Sequence, residues 1–262
     1  MNLYLIRNTL LYYLSSRHKF GHAIHSPFVY SFIRDVLRDK TQYPEYAIIE
    51  KERKNIKKSH LRITVQDFGA GSQVIHTHER KVKDIARTSL SPQKYAQLLF
   101  RLTRYIHAQN ILEIGSSLGI SGAYIAKAVP QAQFISLEGA EQIAAIARNT
   151  FTACGCTNAT IRIGSFADTL SPAIKKLGTI DIAFIDGNHQ EEATLDYFEK
   201  LYPYCHSKTI LVFDDIYWSK GMNTAWKKIC TDKRVSISVD LCKMGLIFFR
   251  TGIAKQHFTI RF

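Results

Sequence analysis

The chain has 262 residues, 46% of them hydrophobic and 22% charged, with a net charge of +13. That is enough apolar material for one large domain, or a domain with an extension, and it excludes a disordered, collagen-like or disulfide-scaffold chain. The basic excess is densest before residue 91 and favours anionic partners such as nucleic acid, with a solvated helix face as the plainer alternative.

The first elements stand apart from the rest. Leu3 to Leu14 is apolar but interrupted by Arg7, and lacks the basic start and cleavage site of a secretion signal. An amphipathic helix over about 2–17 is expected there. A second helix is expected over about 27–39, beyond Gly21-His22-Ala23-Ile24-His25-Ser26-Pro27. Charged, irregular sequence follows, so residues 1–90 read as an N-terminal helical and irregular extension serving as a substrate lid. Within it, Thr64-Val65-Gln66-Asp67-Phe68-Gly69-Ala70-Gly71 resembles a strand ending on a glycine turn. No second strand with a terminal acid follows at the right distance, so the turn is read as a mobile loop, and His76 and His78 as solvated. The run Lys51-Glu52-Arg53-Lys54-Asn55-Ile56-Lys57-Lys58 carries much of the basic charge.

From about Ser91 the pattern changes. Pro92 to His107 reads as a helix, with Ala96, Leu98, Leu99, Leu102 and Ile106 on its apolar face. Strands near 110–115, 133–138, 159–163, 180–186 and 208–214 then alternate with helices near 120–129, 141–153, 166–177, 190–202 and 222–231. Two last strands, near 234–241 and 244–250, are joined by a short turn around Lys243. Such alternation predicts an α/β domain over residues 91–262, with a seven-stranded, mostly parallel sheet and an antiparallel last strand. No apolar run is long enough to cross a bilayer. Five cysteines without recurring spacing fit a reducing compartment, so a cytoplasmic protein is expected; Cys154 and Cys156 read as small buried residues.

Ligands of an open parallel sheet bind beyond the C-terminal ends of its strands. There, Glu113-Ile114-Gly115-Ser116-Ser117-Leu118-Gly119-Ile120-Ser121 turns from strand to helix on small residues, which lets backbone N–H groups approach a ligand. The next strand ends on Glu138, placed to grip a ribose diol, so the pair points to a nucleoside cofactor. Asp186, Asp214 and Asp215 end two further strands, and like charges at one rim call for a cation such as Mg²⁺. His189, three residues past Asp186, is suited to a general base.

Together these motifs resemble the class I S-adenosylmethionine-dependent methyltransferases, and more narrowly the catechol and caffeoyl-CoA O-methyltransferase group. The matching stretches are Leu112-Glu113-Ile114-Gly115 with Gly119 and Ser121, then Glu138, Gly164-Ser165, Asp186 with His189, and Phe213-Asp214-Asp215 with Gly221. The resemblance implies a Rossmann-like methyltransferase fold. It implies a cofactor site of Glu113, Gly115, Ser116, Ser117, Gly119, Ser121, Glu138, Gly139, Ser165, Phe166 and Asp186. Ser121 would hold the methionine carboxylate, Glu138 the ribose, and Ser165 and Phe166 the adenine. It further implies Mg²⁺ or another divalent cation on Asp186, Asp214 and Asp215, with His189 as base and Asp186 beside it. Asp215 stands where the family usually has Asn, and His189 where its base is often Lys. The function implied is metal-assisted O-methylation of a small hydroxylated molecule. RNA methylation through the basic N-terminal region and a non-catalytic cofactor-binding module remain the alternatives, with a homodimer left open. A nicotinamide oxidoreductase is disfavoured because Gly115, Gly119 and Gly122 do not make Gly-x-Gly-x-x-Gly.

Overall fold

The computed structural model describes residues 3–16, 24–67 and 76–262. In chain order the elements begin with α1 (Leu3–Ser15), α2 (Pro27–Phe32, continued by a π-helical turn Ile33–Leu37), α3 (Pro44–Lys58), β1 (Arg62–Asp67), β2 (His76–Lys81), α4 (Val82–Ser89) and α5 (Gln93–Tyr105). Next come β3 (Asn110–Ile114), α6 (Ile120–Ala128), β4 (Gln133–Glu138), α7 (Glu141–Ala153), β5 (Ala159–Ile163), α8 (Phe166–Leu177) and β6 (Ile180–Ile185). The chain ends with α9 (Glu191–Leu201), β7 (Cys205–Phe213), α10 (Lys220–Thr231), β8 (Ile237–Asp240), β9 (Gly245–Phe248) and β10 (Gln256–Thr259). The contacts divide the chain into two compact units, one of residues 40–177 and one of residues 1–39 with 178–262.

In the 40–177 unit, β3, β4 and β5 run parallel, with Leu112 beside Ile135 and Ile135 beside Thr160. β3 and β4 are covered on both faces: Ile111, Leu112, Ile114, Phe134, Ile135 and Leu137 are buried, and with them the polar Glu113 and Ser136. The stretch expected to be irregular before residue 90 contains α3, α4 and an antiparallel β1–β2 pair. The apolar stripe of α3 escapes notice because it is short and set among charges. Tyr46, Ile49 and Ile56 are buried at helical spacing, and the fourth buried member is Arg53. Arg53 Nε donates to Glu50 Oε1 at 2.7 Å and its Nη1 to the Ser91 carbonyl at 2.8 Å, which offsets the cost of burying its charge. Lys51, Lys54, Lys57 and Lys58 are exposed, so most of the basic run is the solvent side of this helix. The Gly69-Ala70-Gly71 turn lies outside the described residues, and so do Gly21, His22 and Ala23.

In the other unit, β6 and β7 are parallel, and β9 is antiparallel to both β7 and β8. β9 is the antiparallel strand expected from the hairpin, and it lies between β7 and β8. β10, which follows it, is parallel to β8 and was not anticipated: Gln-His-Phe-Thr is short, polar at alternate positions and only part-buried. Tyr12 anchors α1, its hydroxyl donating to the Ile260 carbonyl at 2.5 Å and accepting from the Phe262 amide at 3.0 Å. Phe28 and Phe32 of α2 each pack edge-on against Phe248, with centroids 5.4 Å apart. In the 40–177 unit, Cys154 and Cys156 are buried free thiols, as expected, and burial pushes their pKa values up to about 11 and about 12.

Candidate active site

Two sets of side chains carry chemistry, one at the strand ends of each unit. In the 40–177 unit the chain leaves β3 through Gly115, Ser117 and Gly119, with φ of 99°, 47° and 81°. An L-residue tolerates such angles poorly, and Ser117 holds one without being glycine. Gly119 is further required by space: a Cβ there would lie 3.0 Å from the Cα and carbonyl oxygen of Ala147 on α7. The turn is pinned to the neighbouring strand, since the amides of Gly115 and Ser116 both donate to the Leu137 carbonyl at 3.0 Å.

Glu138 lies next to this turn. Its Oε2 accepts from the Ser117 amide at 2.8 Å and its Oε1 from the Ala140 amide at 3.1 Å. Burial raises its pKa, against the pull of the Ala140, Ser117 and Gly139 amides that favour the charged form. A carboxylate offers about four acceptor positions, so three amide donors leave room for a hydroxyl. Glu113 is different. It is fully buried, with Ser136 Oγ donating to its Oε2 at 2.5 Å and its Oε1 without a hydrogen-bond partner. Burial pushes its pKa up to about 8. Ser116 Oγ lies 2.5 Å from Ser136 Oγ, so Glu113 and Ser116 support the turn from beneath. Ser121, in the first turn of α6, and Gly139 are half-buried. Ser165 caps α8: its Oγ accepts from the Asp168 amide at 3.3 Å and donates to Asp168 Oδ2 at 2.6 Å, with Phe166 opening the helix. The donor set and the turn, half-buried at Gly115 and Ser117, fit a nucleoside cofactor with a ribose diol.

In the other unit, strand register assembles the acids. Ile185 of β6 pairs with Phe213 of β7, so the next residues, Asp186 and Asp214, emerge side by side. The Asp214 amide donates to the Ile185 carbonyl at 2.9 Å and locks that pairing. Asp215 follows with φ of 53°, which turns its side chain back toward the same end. Asp186, His189 and Asp215 each present one ligand atom, all within 4.8 Å of one another. Asp214, 1% exposed, is not one of those three. Burial raises the pKa of Asp186 well above the carboxylate range, with the charges of Asp214 and Asp215 adding to the effect. Burial also raises that of Asp214, opposed by Lys243. His189 Nε2 stands 3.7 Å from Asp186 Oδ1, close enough for attraction but not for a hydrogen bond.

Lys243 was read only as the centre of a hairpin turn. Its Nζ lies 2.5 Å from Asp215 Oδ1 and 3.0 Å from Asp214 Oδ2. The placement follows from β9: Gly245 pairs with Phe213, so the turn before it overhangs the acid-bearing end of β7. The Ile216 amide, donating to the Lys243 carbonyl at 3.3 Å, ties the two loops together. Burial works against the charge on Lys243, but Asp214, Asp215 and Asp186 outweigh it and raise its pKa. The carboxylate oxygens of Asp186, Asp214 and Asp215 are the donor type that a hard divalent cation takes.

Residues 112–216 match a family profile described as a methyltransferase domain. That span is similar to the methyltransferase domains the profile describes. Both the glycine turn and the acid-bearing strand ends fall inside the matched span. Over 133 residues the chain is 32% identical to the catechol O-methyltransferase of Niastella koreensis, a stretch covering 49% of this chain and 58% of that relative. The chain thus spans less than two thirds of the curated relative it matches. Among solved structures it is similar to the O-methyltransferase from Bacillus cereus in complex with SAH. The TM-score is 0.56 at 18% identity, covering 84% of this chain and 97% of that one. A putative O-methyltransferase from Klebsiella pneumoniae gives a TM-score of 0.57 at 16% identity, covering 82% and 94%. At these identities the likeness shows the fold, Rossmann-like and mostly parallel. The α/β class and family resemblance read from the motifs agree with it.

Proposed function

We propose that the methyltransferase domain transfers a methyl group from S-adenosylmethionine to a hydroxyl of a small acceptor, with a divalent cation at the acid cluster. The observation that carries the metal-assisted reading is that cluster: strand register sets Asp186 beside Asp214, and ligand atoms of Asp186, His189 and Asp215 lie within 4.8 Å of one another. Neither RNA methylation nor simple cofactor binding calls for it. The catechol O-methyltransferase named above supports a hydroxylated acceptor.

On the cofactor side, Glu138 would hold the ribose diol, oriented by the Ser117 and Ala140 amides. The amides of the Gly115–Gly119 turn and Ser121 would face the methionine portion, and Ser165 and Phe166 the adenine. S-adenosylmethionine supplies an electrophilic methyl group on sulfur, and a divalent cation would lower the pKa of the acceptor hydroxyl. Asp186, Asp214 and Asp215 would hold that cation, and His189 would take the hydroxyl proton. With Asp186 at 3.7 Å, the imidazolium formed would stand beside a carboxylate able to stabilise it. All five cysteines are free thiols, which suits a reducing compartment such as the cytoplasm, and no described helix is long and apolar enough to cross a membrane.

The test is transfer of a labelled methyl group from S-adenosylmethionine to a panel of vicinal diphenols, with Mg²⁺ and with chelator. Transfer that needs Mg²⁺ and disappears in Asp186→Ala is the expected result. Transfer to an amine or to RNA instead would overturn the acceptor assignment.

A further inference from the structure

Lys243 occupies the position in which a cation is expected. It reaches the acids from the β8–β9 turn, whose shape is fixed by Cys242 at φ 73° and by the Cys242 amide donating to Asp240 Oδ1 at 2.8 Å. The Leu241 amide donates to the Met244 carbonyl at 2.9 Å, closing the turn. Beyond it, a Cβ on Gly245 would lie 2.5 Å from the Trp226 ring, so β9 is pressed against α10 at that point. The backbone of Lys243 is therefore held, while its four-carbon side chain keeps 24% exposure and a route outward.

The ammonium shares Asp215 with the donor set. Asp215 supplies one of the three clustered ligand atoms, and its Oδ1 is also the oxygen nearest Lys243 Nζ. Two cations on one carboxylate repel, and the repulsion is strong where water is scarce. Conversely, three acids with neither cation would destabilise the strand ends.

We propose that Lys243 is a built-in competitor for the divalent cation: its ammonium neutralises Asp214 and Asp215 while the site is empty and must leave them when an ion such as Mg²⁺ or Mn²⁺ binds. Lys243 thereby weakens and tunes the ion affinity and keeps the empty site folded. The inference rests on the metal reading above and adds a residue that sets its strength.

The experiment is Mn²⁺ binding by calorimetry to the full chain and to Lys243→Met, beside Mn²⁺-dependent thermal melting of both. Lys243→Met is expected to bind Mn²⁺ at least about tenfold more tightly, the scale of one charge-assisted contact that no longer has to be broken. It should also melt lower than wild type without ion and recover when ion is added. Equal affinities would overturn the competitor role and leave the metal site standing. Absence of Mn²⁺ binding in both proteins would overturn the competitor role and the metal reading together. Should the variant not fold, wild type decides, through acetylation of Lys243 read by mass spectrometry. Faster modification with saturating Mn²⁺ is expected, and an unchanged rate would overturn the proposal.

Discussion

Glu113→Gln gives the pH response a worked magnitude. Glu113 is fully buried and its pKa is pushed from 4.5 to about 8, chiefly by burial. The folded protein holds this proton up to about pH 8, whereas the unfolded chain releases it near 4.5. The folded state therefore binds more protons between those values, and stability falls as pH rises through the window, flattening above it. At about 1.4 kcal/mol per unit, the span is worth up to about 5 kcal/mol. Gln does not titrate. At pH 5 the variant should be less stable by about 1–3 kcal/mol, because its amide N–H group enters a site where Glu113 Oε1 finds no partner. By pH 9 the difference should shrink or reverse. Urea unfolding of both proteins from pH 5 to pH 9 measures it. A stability difference that does not change with pH would refute the assignment of a neutral, buried Glu113. The effect reaches the cofactor turn, because Ser136 bonds both Glu113 and Ser116.

Three further outcomes are expected. Gly119→Ala combines a φ of 81° with a Cβ 3.0 Å from the Ala147 backbone, and should cost about 1–3 kcal/mol in unfolding experiments and weaken cofactor binding. Tyr12→Phe removes the donor to the Ile260 carbonyl and the acceptor for the Phe262 amide; a loss of about 1–3 kcal/mol and faster hydrogen exchange at Phe262 should follow. His189→Gln should lower kcat about 10²-fold or more if the imidazole is the base, measured with saturating cofactor, and an unchanged kcat would remove it from the mechanism.

Much of this was legible in the sequence where one periodicity dominates. The helices and strands from 93 to 231 announce themselves because both faces of the strands are covered, and the acids stand at strand ends as single polar residues after apolar runs. Less legible was whatever depends on partners distant in sequence. Arg53 looks like one more surface charge until Glu50 and the Ser91 carbonyl meet it. β10 carries too little apolar pattern to be seen without β8 beside it. Lys243 becomes a site residue only through the pairing of Gly245 with Phe213, a register that local pattern does not encode. Glu113 is legible as a position but not as a role, since its Ser136 partner lies on the next strand.

The central claim is that the glycine turn and Glu138 hold S-adenosylmethionine, and calorimetric titration of wild type and Glu138→Ala tests it most directly. Saturable binding of S-adenosylmethionine to wild type is predicted, with no heat from NAD. A loss of at least about tenfold in Glu138→Ala should accompany it, as expected for a charge-assisted contact to a ribose hydroxyl. Absence of S-adenosylmethionine binding in wild type, or equal affinity in the variant, would contradict the account.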